Sequence, residues 1–488
     1  MLVFTQIFLW CVLLVSIAMR FMAPLEMNGI FLSAVGLLGL FSYIITCFYL
    51  RYNTIRFSWA GLFNFFCVSF LIVHFHNILI VEIYDDIRMN MKLWFSPMYA
   101  CSSAALSLSG FTSFLIVYSL SKSKNRMPLR EKATSTINPA RLKLIVYILC
   151  VASGVLLLLF VGLAGNKFRS GAYAGGGDYL GGGASHIFIL YNVFFFSMIV
   201  FDIYRMRVLY DHLSPIGFLR CANPFVLGSA GVYLLMSLYV GDRGPILQML
   251  MLYAGAYSIF FGRIRFWMFA GCIVLGVMTM AFIGRYRTSD AGVSMEEKIE
   301  EGKYKMGESS WYHTTAELGG SFRCVAASEM VVEERGYFWG LFKLNNFVSA
   351  VPFASRFMAP YFGALTSGLT SGQFLTAVII GPNSTIGVGT TIIADIYLDF
   401  GYVGVIIMMG ILGWGFAFVE KRALTGYSLM HIALLLFMLS VAFYWPRSTF
   451  VPHVKLIVWG LAFIKIVHVF YGRNLKLSRN DILRRYRG

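Results

Sequence analysis

Long apolar runs separated by short polar connectors dominate the sequence. A helix needs about 20 mostly apolar residues to cross a bilayer, and twelve runs approach or exceed that length. The runs lie at 2–19, 28–50, 58–83, 97–120, 143–165, 187–204, 224–240, 245–262, 266–284, 391–418, 428–445 and 450–471. We therefore predict an all-α fold, a polytopic transmembrane helical bundle of about 12 spans.

The regular alternation stops after the ninth run. Residues 285–390 are more polar and contain many glycines, although the part after 360 is too apolar for a solvated loop. Irregular backbone at membrane depth needs protein or water around it. We predict helices 1–9 over 1–284, one large external loop over 285–390 that is partly embedded in the membrane, helices 10–12 over 391–471, and a basic tail over 472–488.

Composition excludes a soluble enzyme. The chain has 58% hydrophobic and only 13% charged residues, and its mean hydropathy is +0.72. The first run has neither a basic start nor a small-residue cleavage site, so it is interpreted as a retained span. Seven of the eight cysteines lie in or beside apolar runs and form no CxxC pair, so a disulfide framework is not indicated.

The formal charge of +17 is distributed unevenly between the connectors. With the N-terminus inside, the inner connectors and the tail hold 22 Lys and Arg, against seven in the short outer connectors. The positive-inside rule then places both termini in the cytoplasm and 285–390 outside. The basic excess is interpreted as topology signals and lipid anchors rather than as a nucleic-acid surface.

The first candidate site is the connector Gly241-Asp242-Arg243-Gly244-Pro245. The glycines let backbone N–H groups approach a ligand, and Pro245 suits the first turn of the next helix. Arg243 would then point between two otherwise uncharged spans. The alternative is a plain turn in which Asp242 pairs with Arg243.

Further outer arginines follow the ninth and eleventh runs. Arg285 and Arg287 stand at i and i+2, where an irregular segment would let each bind one phosphate, and Arg447 follows Trp445-Pro446. Snorkelling to the membrane interface is the alternative. Within the long loop, His313 and Glu317 are candidate general bases, although His313 is equally typical of a surface histidine.

The sequence Ala394-Asp395-Ile396-Tyr397-Leu398-Asp399 opens the tenth predicted span. Asp395 and Asp399 are four residues apart, so they share one helix face. A carboxylate at membrane depth is a functional hypothesis, and helix capping or pairing with arginine is the alternative. Tyr397 adds an aromatic ring suited to stacking on a sugar.

Arginines converging on carboxylates outside a membrane indicate an anionic, lipid-linked substrate such as a polyprenyl pyrophosphate, because guanidinium binds phosphate with two hydrogen bonds. No cluster with metal-ligand spacing is evident, and no cofactor is expected.

With these motifs, the chain resembles the Wzy-type O-antigen or capsule polymerases, integral membrane glycosyltransferases of the bacterial inner membrane. The resemblance rests on the twelve-span plan with a late external loop, on GDRGP, and on the glycine-rich approach to ADIYLDFGYVG. Asp395 occupies a position where that family often has glutamate.

The resemblance implies transfer of a growing glycan from undecaprenyl pyrophosphate to the terminal sugar of a lipid-linked repeat unit on the periplasmic face. Asp395 is the expected base, with Glu317 and His313 as alternatives. The expected substrate-binding residues are Asp242, Arg243, Arg285, Arg287, Tyr397 and Arg447. The expected partners are the lipid-linked oligosaccharide, the bilayer and, as a further candidate, a chain-length regulator. An O-antigen ligase and a lipid-linked oligosaccharide flippase are the competing functions.

Overall fold

The computed structural model describes residues 2–54, 57–123, 138–165, 168, 182–286, 319–351, 354, 370–382, 384, 387–425 and 428–471, which form helices and no strand. The helices of seven or more residues are α1 (Leu2–Phe21), α2 (Gly29–Asn53), α3 (Leu62–Ile80), α4 (Ala100–Ser123), α5 (Pro139–Leu163), α6 (Gly182–Leu209), α7 (Pro215–Cys221), α8 (Pro224–Val240), α9 (Gly244–Phe260), α10 (Phe266–Tyr286), α11 (Arg323–Arg335), α12 (Leu341–Ser349), α13 (Ser371–Ile379), α14 (Ile392–Thr425), α15 (Leu429–Val441) and α16 (Val454–Tyr471).

Eight of the described helices are long and apolar enough to cross a membrane: α1 to α6, α14 and α16. Helices α7 and α8 meet at 101° and together form a ninth candidate span, while α9, α15 and the segment Phe266–Gly276 of α10 are shorter. The predicted helical membrane fold is confirmed. All twelve predicted runs overlap a helix, but length and apolarity support eight or nine spans rather than twelve.

Helix α4 is the centre of the bundle. Of the residues in its most apolar stretch, 89% are buried, and the helix packs along α14, α1 and α2. Small residues permit this packing: a Cβ on Gly413 of α14 would lie 2.5 Å from the Phe114 carbonyl oxygen of α4. Close backbone approach of this kind is how membrane helices gain contact without a hydrophobic driving force.

Helix α14 has a break near its N-terminal end, at Gly401. This residue has φ 63° and ψ −159°, a conformation that a side chain would strain. The carbonyl oxygens of Leu398 and Asp399 accept hydrogen bonds from the backbone N–H groups of Phe338 (2.9 Å) and Trp339 (3.0 Å). At the break, the segment before α12 therefore forms backbone hydrogen bonds with α14.

Much of the predicted external loop is helical where it is described. Helices α11, α12 and α13 all fall within 285–390, and α11 packs against α14, α13 and α4. The described part of the chain between the ninth and tenth predicted spans therefore packs onto the end of the bundle where α9 and α14 begin. We call this the outer end, following the predicted orientation.

Candidate functional site

A cavity of 560 Å³ opens at the outer end. It lies between α6, α8, the start of α9, α12 and the start of α16. Its lining residues are Phe188, Ile189, Asn192, Phe196, Tyr233, Asp242, Gly244, Pro245, Gln248, Asn346, Ser349, Tyr444, His453, Val454, Lys455 and Leu456. We call this the outer cavity. Apolar walls with a few converging polar groups are the usual composition of a binding site.

The connector between α8 and α9 supplies one wall of the outer cavity. Gly241 ends α8 in the left-handed conformation (φ 75°), and the Asp242 backbone N–H bonds back to the Ser237 carbonyl oxygen at 2.8 Å. The Asp242 carboxylate accepts the Gly244 N–H at 2.9 Å. A Cβ on Gly244 would lie 3.1 Å from that carboxylate and 3.6 Å from the Tyr444 hydroxyl. The turn is thus as tight as the sequence predicts, and the absence of a side chain at Gly244 leaves room for the Asp242 carboxylate beside it.

His453 also lines the outer cavity, directly before α16. Its backbone has φ 50°, a conformation that is uncommon for residues other than glycine and asparagine. The ring is exposed to the cavity but surrounded by protein, and this desolvation lowers the pKa of His453 below its usual value of 6.5. The ring is therefore neutral at neutral pH and able to accept a proton.

Asp395 and Asp399 lie outside the outer cavity, in a buried ion cluster with Lys343 of α12. The Lys343 ammonium is 2.8 Å from an Asp395 oxygen and 2.9 Å from an Asp399 oxygen. It also donates to the Asp395 carbonyl oxygen. The two carboxylates share one helix face, as predicted, and their common partner is a lysine rather than an arginine.

Hydrogen bonds from three other segments satisfy the two carboxylates. Asp395 accepts the Ser371 hydroxyl at 2.5 Å and the Phe450 backbone N–H at 2.8 Å, and its side chain is 1% exposed. Asp399 accepts the backbone N–H groups of Phe342 (3.3 Å) and Lys343 (3.2 Å) at the start of α12. The cluster therefore joins α12, α13, α14 and the segment before α16.

The ion cluster and the outer cavity are mechanically connected. Asn346, one turn after Lys343 on α12, lines the cavity and donates from Nδ2 to Thr449 Oγ1 (3.2 Å) and to the Val451 carbonyl oxygen (3.0 Å). Phe450, between these two acceptors, bonds to Asp395. Asp395 and Lys343 thus hold two walls of the cavity, α12 and the segment that carries His453, in a fixed relation.

Tyr397 belongs to a third group, at the junction of α1, α4 and α11. Its hydroxyl accepts from Arg20 at 3.4 Å, and Arg20 forms an ion pair with Glu329 at 2.6 Å. Burial raises the pKa of Glu329, while Arg20 and the hydroxyls of Ser102 and Ser103 oppose that shift. This group fastens α11 to the bundle, and Tyr397 is not among the residues that line the outer cavity.

The predicted arginines occupy different places. Half-buried Arg243 is the N-cap of α9, between Asp242 and Gly244, without itself lining the outer cavity. Arg447 lies near Cys324 at the start of α11: burial raises the pKa of that thiol to about 12, and Arg323 and Arg447 oppose the shift. The side chain of Arg285 lies outside the described residues, as do Arg287, His313 and Glu317 entirely.

Sequence reasoning did not select several residues of the site. Lys343 is separated from Asp395 by 52 positions and lies in a segment interpreted as loop. Gln248 carried a usable signal, because it is a polar residue inside an apolar run and lines the outer cavity. His453 carried none, since a histidine after proline is unremarkable in sequence. The described residues contain no group of three or more His, Cys, Asp or Glu side chains placed to hold a metal ion.

Comparison with known proteins identifies one family. The family model described as O-antigen polysaccharide polymerase Wzy matches residues 231–480, just over half of the chain. That range includes the α8–α9 connector, the ion cluster, His453 and Lys455. No curated protein and no solved structure matches the chain. The chain belongs to the O-antigen polysaccharide polymerase Wzy family.

Proposed function

We propose that this O-antigen polymerase transfers a growing glycan from undecaprenyl pyrophosphate to the terminal sugar of a lipid-linked repeat unit, and that it does so in the outer cavity on the periplasmic face. The observation that carries the proposal is the convergence of Asp242, His453 and Lys455 on one cavity inside the family-matched region. Its 560 Å³ suits a pyrophosphate with adjoining sugar.

The donor pyrophosphate binds at the cationic side of the outer cavity. Lys455 lines the cavity in the first turn of α16, and Arg243 stands at the N-terminus of α9, where the helix dipole also favours an anion. The substrate-binding roles of Arg285, Arg287 and Arg447 stay predictions, since none of the three is among the described residues that line the outer cavity. Cations fixed beside the leaving group stabilise the charge that develops on it as the bond breaks.

The reaction is a displacement at the anomeric carbon of the donor sugar. An acceptor hydroxyl oxygen forms the new glycosidic bond, the bond from the anomeric carbon to the pyrophosphate oxygen breaks, and the electron pair leaves with undecaprenyl pyrophosphate. The hydroxyl proton passes to a base. The energy comes from the pyrophosphate linkage, so no nucleotide is required on this face.

His453 is the base we propose, with Asp242 orienting the acceptor hydroxyl. His453 is neutral and exposed to the outer cavity, and the half-buried Asp242 carboxylate also faces it. Asp395 as the base stays a prediction. To accept a proton from substrate it would have to leave Lys343, Ser371 and the Phe450 N–H, so we assign it a positioning role.

Deletion and complementation test the proposal against its alternatives. Cells lacking the gene should attach single repeat units to lipid A core, and the wild-type gene should restore a ladder of lengths. Arg243→Ala at matched expression should abolish the ladder, whereas Arg265→Ala, an exposed arginine at the other end of the bundle, should restore it. Loss of all outer glycan in the deletion strain would instead indicate a ligase or a flippase.

A further inference from the structure

A second cavity, of 490 Å³, opens at the opposite end of the bundle. It lies between the ends of α2, α4, α9 and α14 and the segment before α3. We call it the inner cavity, since the predicted orientation places this end in the cytoplasm. It has no residue in common with the outer cavity, so the proposed reaction does not use it.

The floor of the inner cavity is a fixed polar network. Lys122 of α4 and Glu420 of α14 form an ion pair at 2.6 Å, and the Tyr118 hydroxyl donates to the same Glu420 oxygen at 2.7 Å. Lys122 and Glu420 are 9% and 7% exposed. Asn64 beside them donates to the Ser58 carbonyl oxygen at 2.8 Å. A buried charge pair is costly to desolvate, so such a floor is expected where polar ligand atoms or water supply further bonds.

The mouth of the inner cavity is basic. Arg263 and His212 line it and are exposed. Among the described lining residues the formal charges are Lys122 and Arg263 against Glu420, so the cavity carries a net positive charge even with His212 neutral. Apolar side chains such as Leu50, Phe260 and Leu424 complete the wall. The basic opening and the polar floor suit an anionic headgroup. The apolar wall suits a hydrocarbon chain.

We infer that the inner cavity binds the phosphate headgroup of an anionic phospholipid from the cytoplasmic leaflet. Basic pockets between membrane helices on that side are the usual sites for such headgroups, because anionic lipids give the leaflet a negative surface potential. A volume of 490 Å³ accommodates a glycerophosphate group and the first acyl carbons. The bound lipid ties together four helix ends, two of which belong to the central pair α4 and α14.

Lipid binding to the purified protein tests the inference. Native mass spectrometry with phosphatidylglycerol and phosphatidylcholine of equal chain length should show one phosphatidylglycerol bound at least fivefold more tightly. The double variant Arg263→Gln/His212→Gln should weaken phosphatidylglycerol binding about five- to tenfold and leave phosphatidylcholine unchanged. Both positions are exposed, so the fold is expected to survive.

Arg265→Gln is the matched control, because Arg265 is exposed two residues away and does not line the inner cavity. Equal loss with Arg265→Gln, or unchanged binding in the double variant, overturns the inference. Competition with inorganic phosphate shows whether the ligand is a lipid headgroup or a soluble phosphate compound. Displacement of phosphatidylglycerol by millimolar phosphate would assign the cavity to a soluble phosphate compound and overturn the lipid. No displacement supports the lipid.

Discussion

Asp395 and Asp242 are both predicted to serve the same reaction, yet they lie in opposite surroundings. Asp395 is 1% exposed, and its carboxylate is occupied by an ammonium, a hydroxyl and a backbone N–H. Asp242 is half-buried, accepts the Gly244 N–H and faces a cavity of 560 Å³. The first carboxylate can stabilise structure without meeting substrate, and the second can meet substrate.

The difference shows why a carboxylate inside a membrane helix is weak evidence for catalysis by itself. Removing a charge from water costs several kcal/mol, so it must be compensated whether it serves structure or chemistry. Compensation by groups from three chain segments, one of them a lysine, indicates a structural role for Asp395. Exposure to a cavity shared with His453 and Lys455, as at Asp242, indicates a site.

The largest effect is expected from Lys343→Met. The substitution leaves two buried carboxylates without their cation, which should cost about 3–5 kcal/mol and abolish polymer formation. Thermal unfolding in detergent measures the loss, with Lys92→Met, at an exposed lysine, as the control. Adding Asp395→Asn and Asp399→Asn to Lys343→Met should recover much of the stability, since no uncompensated charge then remains. Failure to recover would contradict the ion-cluster explanation.

His453→Asn should lower the polymerisation rate by about a hundredfold, the contribution typical of a general base, while asparagine tolerates the left-handed backbone. The wild-type rate should fall only below about pH 6.5, because the pKa of His453 is lowered from that value and the ring loses its proton-accepting form on protonation. The polymerisation rate measured from pH 5 to 8 shows whether this fall occurs. If the rate of the variant falls with pH in the same way as that of the wild type, protonation of His453 does not cause the fall.

Asp395→Asn and Asp242→Asn should separate stability from turnover. Asp395→Asn replaces one accepting oxygen with a donor in a buried site and should cost about 1.5–3 kcal/mol of stability. Asp242→Asn keeps an oxygen for the Gly244 N–H, so melting should change little while turnover falls about tenfold. If Asp395→Asn instead melts like the wild type but has no turnover, Asp395 is the base.

The smallest effect is expected from Gly244→Ala. The added methyl group would lie 3.1 Å from the Asp242 carboxylate, which would have to shift by a few tenths of an ångström. Because the shifted carboxylate is proposed to orient the acceptor, we expect KM to rise several-fold with a smaller change in kcat. Gly228→Ala on α8 is the control, because nothing lies within 4 Å of its added methyl group. Equal kinetic effects of both variants would remove the connector from the site.

The sequence predicted the helical membrane fold because apolar runs of membrane length have few other structures available to them. It predicted the α8–α9 turn because glycine and proline act locally. It also placed Asp395 and Asp399 on one face from their spacing. The count of twelve spans is not confirmed, because three of the predicted runs correspond to the shorter apolar helices α9, Phe266–Gly276 of α10 and α15.

The parts of the site that sequence missed depend on long-range contacts. Lys343 pairs with Asp395 across 52 positions, and nothing near Lys343 distinguishes it from the other loop lysines. The grouping of Tyr397 with Arg20 joins positions 377 apart. Local patterns fix which residues share a helix face, whereas the identity of the facing partner is decided by how the helices pack.

Polymerisation by the purified protein from a synthetic repeat unit on undecaprenyl pyrophosphate tests the proposed reaction without the cell. We expect glycans longer than one repeat unit, with one undecaprenyl pyrophosphate released per new linkage. We expect no product from Lys455→Met. Thermal melting should show that this variant is folded. Product formed only after lipid A core is supplied, or equal product from Lys455→Met, would contradict the proposal.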